Sequence, residues 1–256
     1  RCSMIKALAI ENLTDFLTFP FREEDWQQTF LIGSLVMLSG YFIPVLPWFV
    51  LVGYYLQIKR RSIAGEAERL PRWGEWEALL TDGLQGFGAQ MIYTLPVIML
   101  FVVGTLTVSL AQLPLVGLFL DPYTPELRGT WLMISTILSL LGIGAFGLAA
   151  LFSLPLGLIT PPAIAHLAAH RSFGAAFRVR EWWPIFRANL SGFLLAYLLL
   201  MVGYFAMMLV MQILFMTVVL CWAAFLVLAP VGFYLYVISA TLYGRAYRVG
   251  LEKLSV

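Results

Sequence analysis

The chain has 256 residues, of which 61% are hydrophobic and only 12% charged, with a mean hydropathy of +0.88. Soluble domains are about 45–50% apolar and about 25% charged, so a soluble globular domain is excluded. A formal net charge of +2 singles out no polyanionic partner such as nucleic acid.

Residues 1–20 come first. Ile5, Leu8, Ala9, Leu13, Phe16 and Leu17 recur near helical spacing, with Lys6, Glu11, Asn12 and Asp15 among them. That pattern predicts a short helix lying in the membrane interface and ended by Pro20. No cleavable leader is expected here, because Met4–Ile10 is too short for the apolar core of one. The uncharged run Thr29–Ile58 follows, interrupted by Gly40, Pro44 and Pro47. It exceeds the ~20 residues that one helix needs to cross a bilayer and falls short of two full spans. Proline removes helix hydrogen bonds, so a hairpin is expected, re-entrant or tightly spanning, with both ends on one face.

Lys59-Arg60-Arg61 closes the hairpin, and Ala64-Gly65-Glu66 with Pro71 makes a loop. Over 73–88, Trp73, Trp76, Leu80, Leu84 and Phe87 step by three or four residues between acids, which predicts a second interfacial helix. Residues 89–165 read as a second hairpin. Its Gly142, Gly144, Ala145, Gly147 and Ala149 offer a small-residue surface for a neighbouring helix. Phe173, Phe177, Trp182, Trp183 and Phe186, set among arginines, predict a third interfacial helix over 173–188. The charge-free block 190–243 is long enough for two spans joined near Gln212–Thr217. The expected fold is therefore an all-α, polytopic membrane protein, a single domain with about six embedded helices in three hairpins and amphipathic interfacial helices. Trp26, Trp73, Trp76, Trp182 and Trp183 are the expected interfacial anchors.

Basic residues set the orientation. Arg22, Lys59, Arg60, Arg61, Arg69, Arg72, Arg171, Arg178, Arg180, Arg187, Arg245, Arg248 and Lys253 all fall on segments that this layout puts on one face. Lysine and arginine flanking spans favour the cytoplasm, so both termini and the interfacial helices are expected there. Lys59, Arg60 and Arg61 are also candidate contacts for anionic lipid.

Charged residues at mid-bilayer cost about 2.5–3.5 kcal/mol on insertion scales and are usually functional. The expected spans contain almost none, which disfavours proton relays, sodium sites and voltage sensing. No Ser-His-Asp elbow, P-loop or dinucleotide fingerprint occurs; no catalytic residue is assigned and the chain is not expected to be an enzyme. Interrupted helices expose backbone groups that hold ligands. Gly40, Pro44, Pro47, Pro155, Pro161 and Pro162 are thus candidate ligand-binding positions, although prolines that merely turn hairpins give the same pattern. His166 and His170, the only histidines, stand at i and i+4. A zinc site needs three or four ligands, and spacing supplies no acid or cysteine to complete one, so no metal or other cofactor is expected. Either histidine remains a candidate ligand for a pigment or haem, beside the plainer reading of an interfacial pair next to Arg171. Cys2 and Cys221 match neither a disulfide framework nor a metal spacing.

Several local motifs are shared with a known family. Phe21-Arg22-x-x-Asp25-Trp26, Gly53-Tyr54, Arg60-Arg61, Gly65-Glu66, Leu70-Pro71-x-Trp73-x-x-Trp76, Asp82-Gly83 and Tyr93-x-Leu95-Pro96 carry the likeness in the first half. Phe173-x-x-Ala176-Phe177, Arg187-Ala-Asn189 and Ala240-x-Leu242-Tyr243-Gly244-x-Ala246-Tyr247-Arg248 carry it in the second. Together they resemble the prokaryotic membrane family called domain of unknown function 4013, over roughly Asp15 to Arg248. The resemblance implies a multi-span architecture in a prokaryotic inner (cell) membrane and no defined activity. Three roles follow as expectations: an accessory or scaffold subunit with protein partners in the bilayer, a lipid-handling or small-solute carrier using the broken hairpins, and a pigment- or haem-binding subunit.

Overall fold

The computed structural model describes residues 8, 13–22, 25–66, 69–120, 125–217 and 221–255. Among these the regular structure is helical, with no strand. Four helices are long and apolar enough to cross a membrane, over Trp76–Leu113, Arg128–His170, Leu190–Met216 and Ala224–Leu254. Large apolar side chains stand exposed along them, Phe101, Leu140, Leu151, Val202 and Ile213 among them. A continuous surface of that kind is compatible with hydrocarbon and not with water. The four long apolar helices fit a multi-pass membrane protein.

Of the expected N-terminal helix, α1 (Leu13–Thr18) and a 3-10 turn (Phe19–Phe21) are seen, with Arg22 paired to Asp15. Residues 1–7 and 9–12, including Cys2, lie outside the described residues. The first apolar run forms two helices, α2 (Trp26–Ser39) and α3 (Leu46–Ala64). Fourteen residues at 1.5 Å each make α2 about 21 Å long, less than the ~30 Å hydrocarbon layer. The break lies where the sequence puts it. Val45 takes φ 75°, and Pro47 enters the first turn of α3, where its missing N–H has no helical partner to lose. At the far end Gly65 adopts φ 75°, its N–H donating to Ser62 O while the Glu66 N–H donates to Arg61 O. This left-handed cap closes the helix, and glycine adopts it without a Cβ clash.

The following helices, α4 (Trp76–Leu120) and α5 (Pro125–His170), are longer than expected. The interfacial stretch from Trp76 continues into the span without a break. Pro155, Pro161 and Pro162 likewise do not interrupt α5, which corrects the expectation of a second broken helix. A second 3-10 turn (Phe173–Phe177) leads to α6 (Val179–Ala188), which buries Trp182, Ile185 and Phe186 and exposes Arg180 and Arg187. Next come α7 (Leu190–Met216), unbroken at Gln212, and α8 (Cys221–Leu254).

The chain forms two compact units. One comprises residues 91–157, the paired middles of α4 and α5. Here Ser135 Oγ donates to the Ala111 carbonyl at 2.9 Å, and Phe101 tilts against Phe146 at 5.3 Å. The small-residue surface is used in part: Gly142 faces Val108 and the Gly104 carbonyl, and Ala145 and Ala149 are buried, whereas Gly144 and Gly147 face open space.

The other unit holds residues 1–90 and 158–256 and is organised on α8, which packs against α2, α3, α6 and α7. Phe233 of α8 fills the space over Gly33 of α2 and meets Phe30 edge-on at 5.4 Å. Tyr54, fully buried on α3, stacks on Trp73 at 4.1 Å; its hydroxyl donates to Pro71 O and the Trp73 indole N–H to Thr29 O, both at 2.9 Å. Helices α3 and α4 cross with their backbones in contact. A Cβ on Gly53 would lie 2.0 Å from the Leu79 carbonyl oxygen, and one on Gly83 would lie 1.8 Å from that of Phe49. Close approach of this kind gains dispersion contacts along both helices and is open only to small residues.

Gly53→Val should therefore lower the apparent unfolding temperature of the detergent-solubilised protein, by an amount equivalent to about 1–3 kcal/mol of overpacking. Gly144→Val, in open space, should leave that temperature nearly unchanged in the same thermal-melt measurement.

Candidate functional site

The C-terminal turns of α3 put three consecutive basic residues against the helix pairs just described, and each meets a different fate. The Lys59 side chain is fully enclosed, and among the described residues its Nζ has no hydrogen-bond partner. It lies 4.4 Å from the Tyr55 ring and 5.5 Å from the Tyr243 ring, so aromatic faces are its main compensation. Enclosure removes it from the candidate lipid contacts. Arg60 turns the other way. It forms a two-pronged pair with Asp82 of α4, Nη2 donating to Oδ1 at 2.9 Å, while its Nε donates to the Ala168 carbonyl of α5, also at 2.9 Å. Arg61 is exposed, 3.9 Å from Glu66.

Arg60 and Arg61 form part of the wall of a cleft of about 1050 Å³, completed by the loop after α3, the start of α4 and the end of α5. Arg69, Arg72 and Arg171 bring its arginines to five, against Glu66, Glu75 and Asp82. The volume is at the upper end of the usual range for small-ligand pockets. Arg72 also reaches Asp25 at 3.2 Å, so acids that looked scattered in sequence are partly neutralised by basic neighbours.

A second polar cluster sits at the same end of α5. His166 is 3% exposed; its Nδ1 lies 2.6 Å from the Tyr247 hydroxyl of α8, and its Nε2 lies 3.0 Å from Glu181 Oε2 of α6. The His170 ring is 4.3 Å from that of His166. The hydrogen bond from His166 holds the Glu181 carboxyl below the usual carboxylate range, and Arg178, with Nη1 3.6 Å from Oε1, acts in the same direction. Sequence spacing could not supply Glu181, because it reaches the histidines only after the chain reverses through the 3-10 turn. Beside this cluster Asn189 is fully buried at the α6–α7 corner, donating to Ala246 O at 2.9 Å and accepting from Lys253 Nζ at 2.9 Å.

The remaining candidates scatter. Gly40, Pro44 and Pro47 lie at the α2–α3 break, with Pro44 exposed and Pro47 buried, while Pro155, Pro161 and Pro162 lie inside continuous α5. Trp26 packs edge-on to Phe21 at 5.0 Å. Trp76 and Trp183 are exposed. Trp182 is enclosed, its indole N–H donating to Ala176 O at 3.0 Å, and it acts as a core residue.

Long apolar helices that fit a multi-pass membrane protein carry a basic, arginine-lined pocket at the ends of α3 and α5. The chain belongs to the family described as Protein of unknown function (DUF4013), whose profile matches residues 36–216. Neither a characterised protein nor a solved structure matches it.

Two substitutions test the electrostatics of this region by thermal melts in detergent. Asp82→Asn should destabilise the fold by about 1–3 kcal/mol, because the half-buried Arg60 loses its charged acceptor. Lys59→Met should stabilise it by about 1–4 kcal/mol, because an apolar chain of similar length replaces an enclosed amine with no ion pair among the described residues.

Proposed function

We propose that this protein binds anionic, phosphate-bearing headgroups in the arginine-lined cleft, as a non-catalytic, lipid-handling protein of the prokaryotic inner membrane. The observation that carries the reading is five arginines around one open volume of about 1050 Å³ at the ends of α3 and α5. Guanidinium groups bind phosphate in a two-pronged fashion, and arginines near an anionic leaflet each contribute about 1 kcal/mol. In this reading α2 and α3 form a re-entrant hairpin, and the spans form two further hairpins. The termini and the basic face are cytoplasmic, in line with the distribution of arginine and lysine. Arg60 mainly supports the cleft wall through Asp82, and Arg61 and Arg171 meet the ligand.

A second reading, an accessory subunit with protein partners in the bilayer, draws on Gly144 and Gly147. Both leave open space on α5 where a foreign helix could pack closely.

Native mass spectrometry of the detergent-solubilised protein, titrated with phosphatidylglycerol and with phosphatidylcholine, tests the first reading. Phosphatidylglycerol should be retained preferentially, and the double variant Arg61→Gln/Arg171→Gln should weaken that retention roughly tenfold or more. Equal retention of the two lipids, or a variant that binds like the parent, would refute it.

A further inference from the structure

We propose that His166, His170 and Glu181 form a site for a divalent first-row transition metal of the zinc type. One donor atom from each of the three residues lies within 4.8 Å of the other two. The two imidazoles share one face of α5 at i and i+4, and the carboxylate arrives from α6. Two imidazoles and a carboxylate are a ligand set that zinc and its neighbours favour over magnesium or calcium. With metal–ligand bonds of about 2.0–2.1 Å, donors on one ion stand roughly 3 Å apart. The His166 Nε2 to Glu181 Oε2 separation of 3.0 Å already has that value. The remaining closure falls to His170, an exposed side chain at the last turn of its helix that can rotate to meet the ion.

The surroundings suit a metal ligand in a second respect. Metal-bound histidines usually donate their other ring N–H to a fixed acceptor, which sets the tautomer. His166 Nδ1 faces the Tyr247 hydroxyl at 2.6 Å. Without metal, the Nε2–H donates to the Glu181 carboxylate and Nδ1 accepts from Tyr247. When the ion binds, the ring proton resides on Nδ1 and is donated to the Tyr247 oxygen, leaving the Nε2 lone pair for the metal. Arg178 holds the other Glu181 oxygen at 3.6 Å, so the carboxylate offers one oxygen to the ion rather than two. Three protein ligands leave a further position for water or an added ligand. The ion would join the end of α5 to α6, and through Tyr247 to α8, independently of any ligand in the arginine cleft.

Tag-free protein, stripped with chelator and titrated with cobalt(II) in detergent, tests this by visible absorption, with bound zinc then counted by elemental analysis. One equivalent should bind, with the d–d bands of a low-coordinate nitrogen and oxygen site. His170→Ala and Glu181→Gln, both at exposed positions, should each weaken binding at least tenfold while circular dichroism shows unchanged helicity. Tyr247→Phe should weaken it by about tenfold. Absence of cobalt bands in the parent protein would overturn the proposal. So would a stoichiometry and affinity that the His170 and Glu181 substitutions leave in place.

Discussion

A guanidinium placed among apolar helices has lost most of its water, and it stays charged at tolerable cost only where fixed acceptors replace that water. Arg60 meets this demand with two carboxylate contacts from α4 and one carbonyl from α5. Because all its partners lie on other helices, satisfying one side chain fixes the mutual position of three. The arrangement also opens the cleft. Arg60, held against Asp82, lines the cleft together with Arg61, Arg69, Arg72 and Arg171.

The same economy of polar groups recurs around α8. Ser62 donates to the Thr241 carbonyl at 3.0 Å, Asn189 to that of Ala246, and Tyr247 meets His166. Each joins α8 to a neighbouring helix or helix corner through a side chain, in surroundings where an unmatched polar group would be expensive. Between these points the helices are held by shape. Gly53 against Leu79 and Gly83 against Phe49 bring two backbones together, and Phe233 occupies the space that Gly33 leaves open. Directional bonds set the register, and close contact supplies the remaining attraction.

The prolines show how context decides a local rule. Pro47 lies near the start of a helix, two residues after Val45 at φ 75°, so the chain has already turned before it. Pro155, Pro161 and Pro162 lie within the long apolar helix α5, and the helix runs through them. In hydrocarbon an unravelled turn would expose several backbone groups without partners, whereas an intact helix forgoes only the bonds that proline cannot make. Proline alone therefore does not locate a break in a membrane helix. Gly40, the strained Val45 and exposed Pro44 together mark the break between α2 and α3.

The sequence by itself determined the all-helical class with spans long and apolar enough for a membrane, the helix break at Gly40–Pro47, the amphipathic character of α6 and the family. Hydrophobic runs, helix breakers and local motifs are properties of neighbouring residues, and neighbours in the chain stay neighbours in the fold. It did not determine what became of Lys59, Arg60 and Arg61, which are adjacent in sequence yet end up enclosed, paired and exposed in turn. Nor did it bring Glu181 to the histidines or gather five arginines around one cleft. Those outcomes belong to the tertiary structure, because side chains one residue apart on a helix point about 100° apart, and what each one meets is set by whichever other helix packs there.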